Sequence, residues 1–276
     1  MAAVNEKVYD FDAATYTAST GNGTWSAEIH DGWDFAGLPN GGYLMALAVR
    51  AMLGELSRND PLVVSAHFLS PASAGPAEIS VQSIREGRRH TSATASLRQG
   101  EKEIARLLGT FGELVWNSPA YLRAEPPALP PPDECELPRP VDGFEPPPIT
   151  RRVELRLLPE HAGFAYGDPP GVAEVSGWAR FADGRPADTA SLLLFADALP
   201  PAVFNAGLPL GWVPTIEMTV QIRKRPSPGW LRSRFITRLV AGGYLEEDGE
   251  IWDSEDDLVA LSRQLALSPS PLKDRK

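Results

Sequence analysis

The segment from Pro119 to Pro148, PAYLRAEPPALPPPDECELPRPVDGFEPPP, limits what this chain can fold into more than any other stretch. Proline fixes φ and removes a backbone N–H, so neither a central strand nor a helix interior fits such a density, and an extended linker is expected. The linker, residues 119–150, leaves two segments of similar length, 1–118 and 151–276. Both segments show the same order of elements.

In the first segment TWSAEIHDGW reads as a strand and GLPNGGYLMALAVRAMLGEL as a loop running into an apolar helix. PLVVSAHFL, a hairpin turning at Glu86-Gly87, and EIARLLGTFGEL follow. In the second segment EVSGWARF precedes an apolar helix over PADTASLLLFADALPPAVF, stopped near Pro200-Pro201. PTIEMTVQIRK, the hairpin WLRSRFITRLVAGGYLEEDGEIWD and LVALSRQLAL complete it. The period is a whole domain of one long helix and antiparallel strands, so the fold class is α+β rather than a parallel βαβ array. Each sheet is expected to wrap its own helix, and two such sheets can pair edge to edge about a pseudo-twofold axis.

Composition removes several function classes. A net charge of -10 opposes nucleic acid and anionic membranes as partners. A phosphate-bearing ligand would need a local patch, Arg88 to His90 or Arg223 to Arg225, although either also reads as a solvated strand end. The start, MAAVNEKVYDFD, lacks a signal-peptide pattern and no apolar run approaches a membrane span, which suggests a cytoplasmic protein. The single cysteine, Cys135 in PPDECELP, excludes an intrachain disulfide and reads as a solvated linker thiol. His30, His67, His90 and His161 show no metal spacing, and neither HExxH nor GxSxG occurs.

Asp197 is the lone carboxylate of the run SLLLFADALPP. Burial and a position in the last turn of a helix both disfavour its charge, which would raise its pKa and suit it to take a proton from water. A solvated face residue is the alternative. The first helix carries Arg50 instead of an acid, while PNGGY puts Gly41 and Gly42 at a helix start, where free N–H groups can polarise a carbonyl or simply serve the turn. Strand parity groups Thr215 with Glu217, Thr219 and Gln221, and groups Gln264 with Leu258, Ala260, Ser262 and Ala266. Gln264 is thus either a satisfied structural amide or a group in a cleft, where with Thr215 it could orient a water beside Asp197. Trp33, Trp178, Trp212, Trp230 and Trp252 are candidates for an acyl pocket or for core.

The order of elements, with Asp197, Thr215 and Gln264, resembles the double hot-dog acyl-CoA thioesterases of the type II family. The similar stretches are LPNGGYLMALAVRAM, HFLSPASAG, REGRRHTSATASLRQG, LLFADALPP, PTIEMTVQIRKRPSPGW and LVALSRQLAL. The resemblance implies two tandem hot-dog domains forming a pseudo-dimer, and hydrolysis of an acyl-CoA by water that Asp197 activates and Thr215 and Gln264 position. It implies backbone N–H groups near Gly41 and Gly42 on the thioester carbonyl, no metal or organic cofactor, and a homodimer or higher assembly. Long-chain members commonly carry a His shortly after the strand Thr and QEG after the last-strand Gln. TIEMT and RQLAL here depart from both and mark a divergent branch. Two other readings remain: a non-catalytic acyl-CoA- or lipid-binding protein, and a hot-dog hydratase or dehydratase. The second normally pairs an acid with a His on or beside the helix, and the second helix and its flanks contain none.

Overall fold

Asn40 begins the longest helix: its backbone is extended (φ -61°, ψ 138°) and its Oδ1 accepts from the Tyr43 N–H at 2.8 Å, satisfying one of the free donors of the first turn. The helix is apolar nearly all round, from Tyr43 through Val49 to Met52, which requires burial on every side. The computed structural model describes residues 7–269 except 36, 57, 117–118 and 138–145. In chain order its elements are α1 (Asp10–Ala14), β1 (Thr17–Gly21), β2 (Thr24–Ile29), β3 (Asp34–Phe35), β4 (Leu38–Pro39), α2 (Gly41–Glu55), β5 (Asp60–Phe68), β6 (Gly75–Glu86), β7 (Thr91–Gln99) and β8 (Lys102–Gly112). Then come β9 (Val153–Leu157), β10 (Glu174–Phe181), α3 (Ser191–Phe195), β11 (Thr215–Ile222), β12 (Leu231–Ile236), β13 (Val240–Ala241), β14 (Tyr244–Trp252) and β15 (Leu258–Leu267). None of the described helices is long and apolar enough to cross a membrane.

One antiparallel sheet runs β1, β2, β6, β7, β8, β5, β11, β15, β14, β12, β10, β9, with β13 attached to β14. The seam is β5 against β11, where Val64 faces Val220 and Ala66 faces Met218, all buried. Outward from it the strands run β5, β8, β7, β6, β2 on one side and β11, β15, β14, β12, β10 on the other. Counted along the chain, this is the same order on both sides.

Three expectations need correction here. First, the two helices do not have separate cores: β5, β6 and β7 pack on α2 as expected, but a single apolar cluster joins Met45 and Leu47 of α2 to Leu193 and Leu194 of α3 beneath both halves of the sheet. Second, α3 is only five residues long. Its start is locked by the Ser191 N–H donating to Asp188 Oδ1 (2.7 Å) and the Asp188 N–H donating to Ser191 Oγ (2.8 Å). Its end tightens as the Asp197 N–H reaches back three residues to the Leu194 carbonyl, and after Pro200-Pro201 only a 3₁₀ turn forms, Ala202–Ala206. Third, Cys135 is buried, with its thiol turned to the Pro130 carbonyl at 3.6 Å. The linker around it is stitched down: Glu136 and Leu157 exchange both backbone hydrogen bonds (2.8 and 2.7 Å), and Trp178 Nε1 donates to the Pro130 carbonyl at 2.9 Å.

Candidate active site

Where α2 and α3 cross, the glycines after Asn40 permit an approach that no other residue would. A Cβ at Gly42 would collide with the Leu193 carbonyl oxygen and stand 2.9 Å from Asp197 Cβ, and one at Gly41 would stand 2.9 Å from the Phe68 ring. Asp197, two residues past the end of α3, is thereby brought onto the first turn of α2. Its Oδ2 accepts from Asn40 Nδ2 at 2.8 Å and from the Gly42 N–H at 3.0 Å, and the same Asn40 amide also holds the Asp197 carbonyl at 2.7 Å. Oδ1 has no protein donor among the described residues.

Two sequence expectations change. Asp197 meets the positive N-terminal end of the other half's helix as well as lying beyond the C-terminal end of its own, so the local dipole of α2 favours its charge. Burial nonetheless wins, pushing its pKa up to about 6 against the lowering effect of the Gly42 and Gly41 N–H groups and the Asn40 amide. Moreover, the Gly42 N–H expected on a substrate carbonyl is donated to Asp197. Asn40, part of the quoted PNGGY, is the site residue that sequence reasoning passed over. Its signal was the ordinary preference of Asn for the residue before a helix.

Thr215 opens β11 and Gln264 lies on β15. Simple alternation would turn Thr215 away from Gln264, but the register slips between Thr215, opposite Ala266, and Glu217, opposite Leu265. This bulge leaves Ile216 without a partner and re-aims Thr215 toward the inner face. The Thr215 hydroxyl donates to Gln264 Oε1 at 2.8 Å, and Gln264 Nε2 donates to Glu247 Oε1 at 2.7 Å. Gln264 is buried behind Thr215, while Arg263 points outward to Asp248. Glu247 was also missed, although the parity of β14 places it inward with Leu245 and Ile251.

Asp197, Asn40, Gly41 and Thr215 share the wall of a cavity of about 350 Å³. Its remaining lining is mostly apolar: Leu44 and Phe68 from the first half, Phe164, Phe204 and Trp212 from the second, and Leu137, Pro147 and Ile149 from the linker. Of the tryptophans considered, Trp212 alone among the described residues lines this cavity, whereas Trp33 and Trp252 are core. The polar group beside an apolar sleeve is what a small reactive head on a greasy tail requires. Elsewhere the converging carboxylates Asp253, Glu255 and Asp257 are filled by the Lys224 ammonium at 2.8, 3.2 and 2.6 Å. Lys224 is therefore committed, and Arg225 pairs with Asp60, so the Arg223 to Arg225 run is no open anion patch.

The family described as the acyl-CoA thioesterase C-terminal domain matches residues 131–268, and the acyl-CoA thioesterase N-terminal domain matches residues 29–112. This chain belongs to the acyl-CoA thioesterase family. It is a thioester hydrolase by that membership. A crystal structure from Thermobifida fusca YX, provisionally assigned as a thioesterase II, is 32% identical with a TM-score of 0.86, over 94% of this chain and 97% of that one. A hot-dog protein of unknown function from Alicyclobacillus acidocaldarius, 23% identical, superposes with a TM-score of 0.85 over 96% of this chain and 100% of its own, which fixes the hot-dog fold. An uncharacterised protein of Mycobacterium tuberculosis (H37Rv) is 26% identical over 89% of this chain and 91% of its own.

Proposed function

We propose that the chain hydrolyses fatty acyl-CoA to free acid and CoA with water activated by Asp197. The observation that carries this reading is a half-buried carboxylate at the cavity wall, with its pKa raised to about 6 and, among the described residues, hydrogen-bonded through one of its oxygens. Water held between Asp197 Oδ1 and Thr215 gives its proton to the carboxylate as its oxygen attacks the thioester carbonyl. Negative charge develops on the carbonyl oxygen near Gly41, where the N-terminal turn of α2 favours it. The C–S bond then breaks and the departing thiolate takes the proton from Asp197. Thr215 and Gln264 serve to orient the water, with Gln264 acting through the Thr215 hydroxyl.

The mirrored strand order supports reading residues 1–118 and 151–276 as two tandem hot-dog units forming a pseudo-dimer, joined by linker 119–150. We place the enzyme in the cytoplasm, and as a homodimer or higher assembly because the outer strand β1 leaves paired-strand capacity at one end of the sheet. A hydratase is less favoured, since no described histidine lines the cavity. The test is thiol release from saturated acyl-CoAs of increasing length, wild type beside Asp197→Asn. Release that depends on Asp197 is expected. Saturable binding without release from any chain length would overturn the hydrolase in favour of a binding protein.

A further inference from the structure

Glu247 is buried, and among the described residues no cation lies against it. Its Oε2 accepts from the Ala202 N–H and its Oε1 from the Gln264 amide, both at 2.7 Å, and these are its hydrogen-bond partners among the described residues. A buried carboxylate without a counter-charge is costly, and capping one turn at Ala202 is a task that neutral side chains perform. The geometry points to a second task.

We propose that Glu247 is a positioning residue for the hydrolysis, fixing which way the Gln264 amide faces and, through it, which way the Thr215 hydroxyl donates. An amide has a donor end and an acceptor end, and an ionised carboxylate can only accept. Glu247 therefore holds the Nε2 end of Gln264, which leaves Oε1 toward Thr215 and obliges the hydroxyl to donate to it. The Thr215 oxygen then offers only lone pairs to the cavity. A water beside it must donate one proton to Thr215 and the other to Asp197 Oδ1, so its own lone pair is left to attack carbon. With the amide reversed, Thr215 would accept from Nε2 and donate into the cavity, engaging the very lone pair that the reaction needs.

The groups facing Glu247 are consistent with this arrangement. Asp197 and Glu246 add negative charge, while Ala202 and Gln264 supply donors. Burial pushes its pKa up to about 7 despite those donors, so the ionised form that sets the amide is the majority form only toward neutral and higher pH.

This inference rests on the hydrolase reading, and one experiment separates the two. Steady-state thiol release is measured for wild type, Glu247→Gln, Gln264→Ala and the double variant, with kcat–pH profiles and melting curves. Wild type without thiol release would sink the function itself. Given an active wild type, Glu247→Gln should lose about tenfold or more in kcat, with KM within about threefold, the scale of a misoriented reactant. Its acid limb should move to lower pH because the step near pH 7 that belongs to Glu247 ionisation is gone, leaving the limb of Asp197 near 6. In the Gln264→Ala background the same substitution should change kcat less than about twofold, since the group it acts through is absent. Wild-type kcat in Glu247→Gln, an unmoved acid limb, or the full loss repeated in the Gln264→Ala background would each overturn the proposal. Should Glu247→Gln not fold, Glu247→Asp, which keeps the charge but retracts it from the amide, runs the same cycle and is judged on the same kcat criteria.

Discussion

The two helices meet twice, and the two meetings treat an aspartate in opposite ways. At one, Asp197 beyond α3 touches the start of α2 and finds neutral donors, the Asn40 amide and the Gly42 N–H, with no cation against it among the described residues. At the other, Asp188 before α3 touches the later turns of α2 and finds cations, Arg50 at 2.8 Å and Arg185 at 2.7 Å, with Arg185 and Arg50 also bridging to Asp12. Burial works against both charges. It prevails at Asp197, raised to about 6, and is overwhelmed at Asp188, where Arg50 and Arg185 lower the pKa to about 2. Hydrogen bonds from a helix start do not replace a counter-charge when water is removed. The proposed base keeps its raised pKa at one crossing by lacking what the other crossing receives.

The sharpest way to break this contrast is Asp197→Asn. Turnover should fall about a hundredfold or more, the scale of losing a general base. In the wild type, kcat/KM should rise with pH through a limb near 6 as Asp197 ionises in the free enzyme. A profile flat from pH 5 to 8 would separate Asp197 from the rate.

Next in size is Gly42→Ala, which drives a methyl group into the Leu193 carbonyl and forces the crossing open. A stability loss of about 2 kcal/mol or more is expected, read by chemical denaturation, with activity falling as Asp197 leaves its donors. An unchanged midpoint would mean that the close approach is not required.

Asp197→Asn should also stabilise the protein, and the sign follows from the shift. The folded pKa lies above the unfolded one, so ionisation costs stability as pH rises from about 4 to 6, and the cost persists above. Removing the charge should recover up to about 3 kcal/mol at pH 8 and little at pH 4. Equal effects at both values would deny that the charge is strained.

The smallest effect is expected from Arg50→Met at the other crossing: about 1 kcal/mol at pH 5, because the pair is partly exposed and Arg185 remains. Asp188 has a lowered pKa, so its contribution is present above about pH 4 and disappears as pH falls through about 2. Variant and wild type should therefore converge in acid, and turnover should stay within about twofold. A large loss of turnover would join the two crossings into one functional unit.

Parity and periodicity made much of this legible in advance. The repeated element order anticipated the mirrored sheet, and Asp197 stood out because nothing polar surrounded it in SLLLFADALPP. What stayed hidden depended on contacts between distant residues. The slip at Ile216 that turns Thr215 inward has no mark in PTIEM, since alternation alone groups Thr215 with Glu217. Glu247 sits in the acidic run YLEEDGE of the expected hairpin, where the residue types mark no one acid for burial, whereas β14 buries every second residue from Leu245 to Ile251. The donors to Asp197 come from more than 150 residues away, so the sequence could suggest that its charge was disfavoured without revealing what holds it.

The proline-rich segment supplies Leu137, Pro147 and Ile149 to the cavity wall, although its described residues contribute no strand to the large sheet. Proline has little backbone freedom to lose, so that part of the wall is set before any ligand arrives. On the proposed mechanism such a wall is an interchangeable template: substitutions there change the length of tail that fits while Asp197 and Thr215, carried on a helix end and a strand, keep their places. Selectivity and reactivity in this thioesterase can therefore diversify at different tempos.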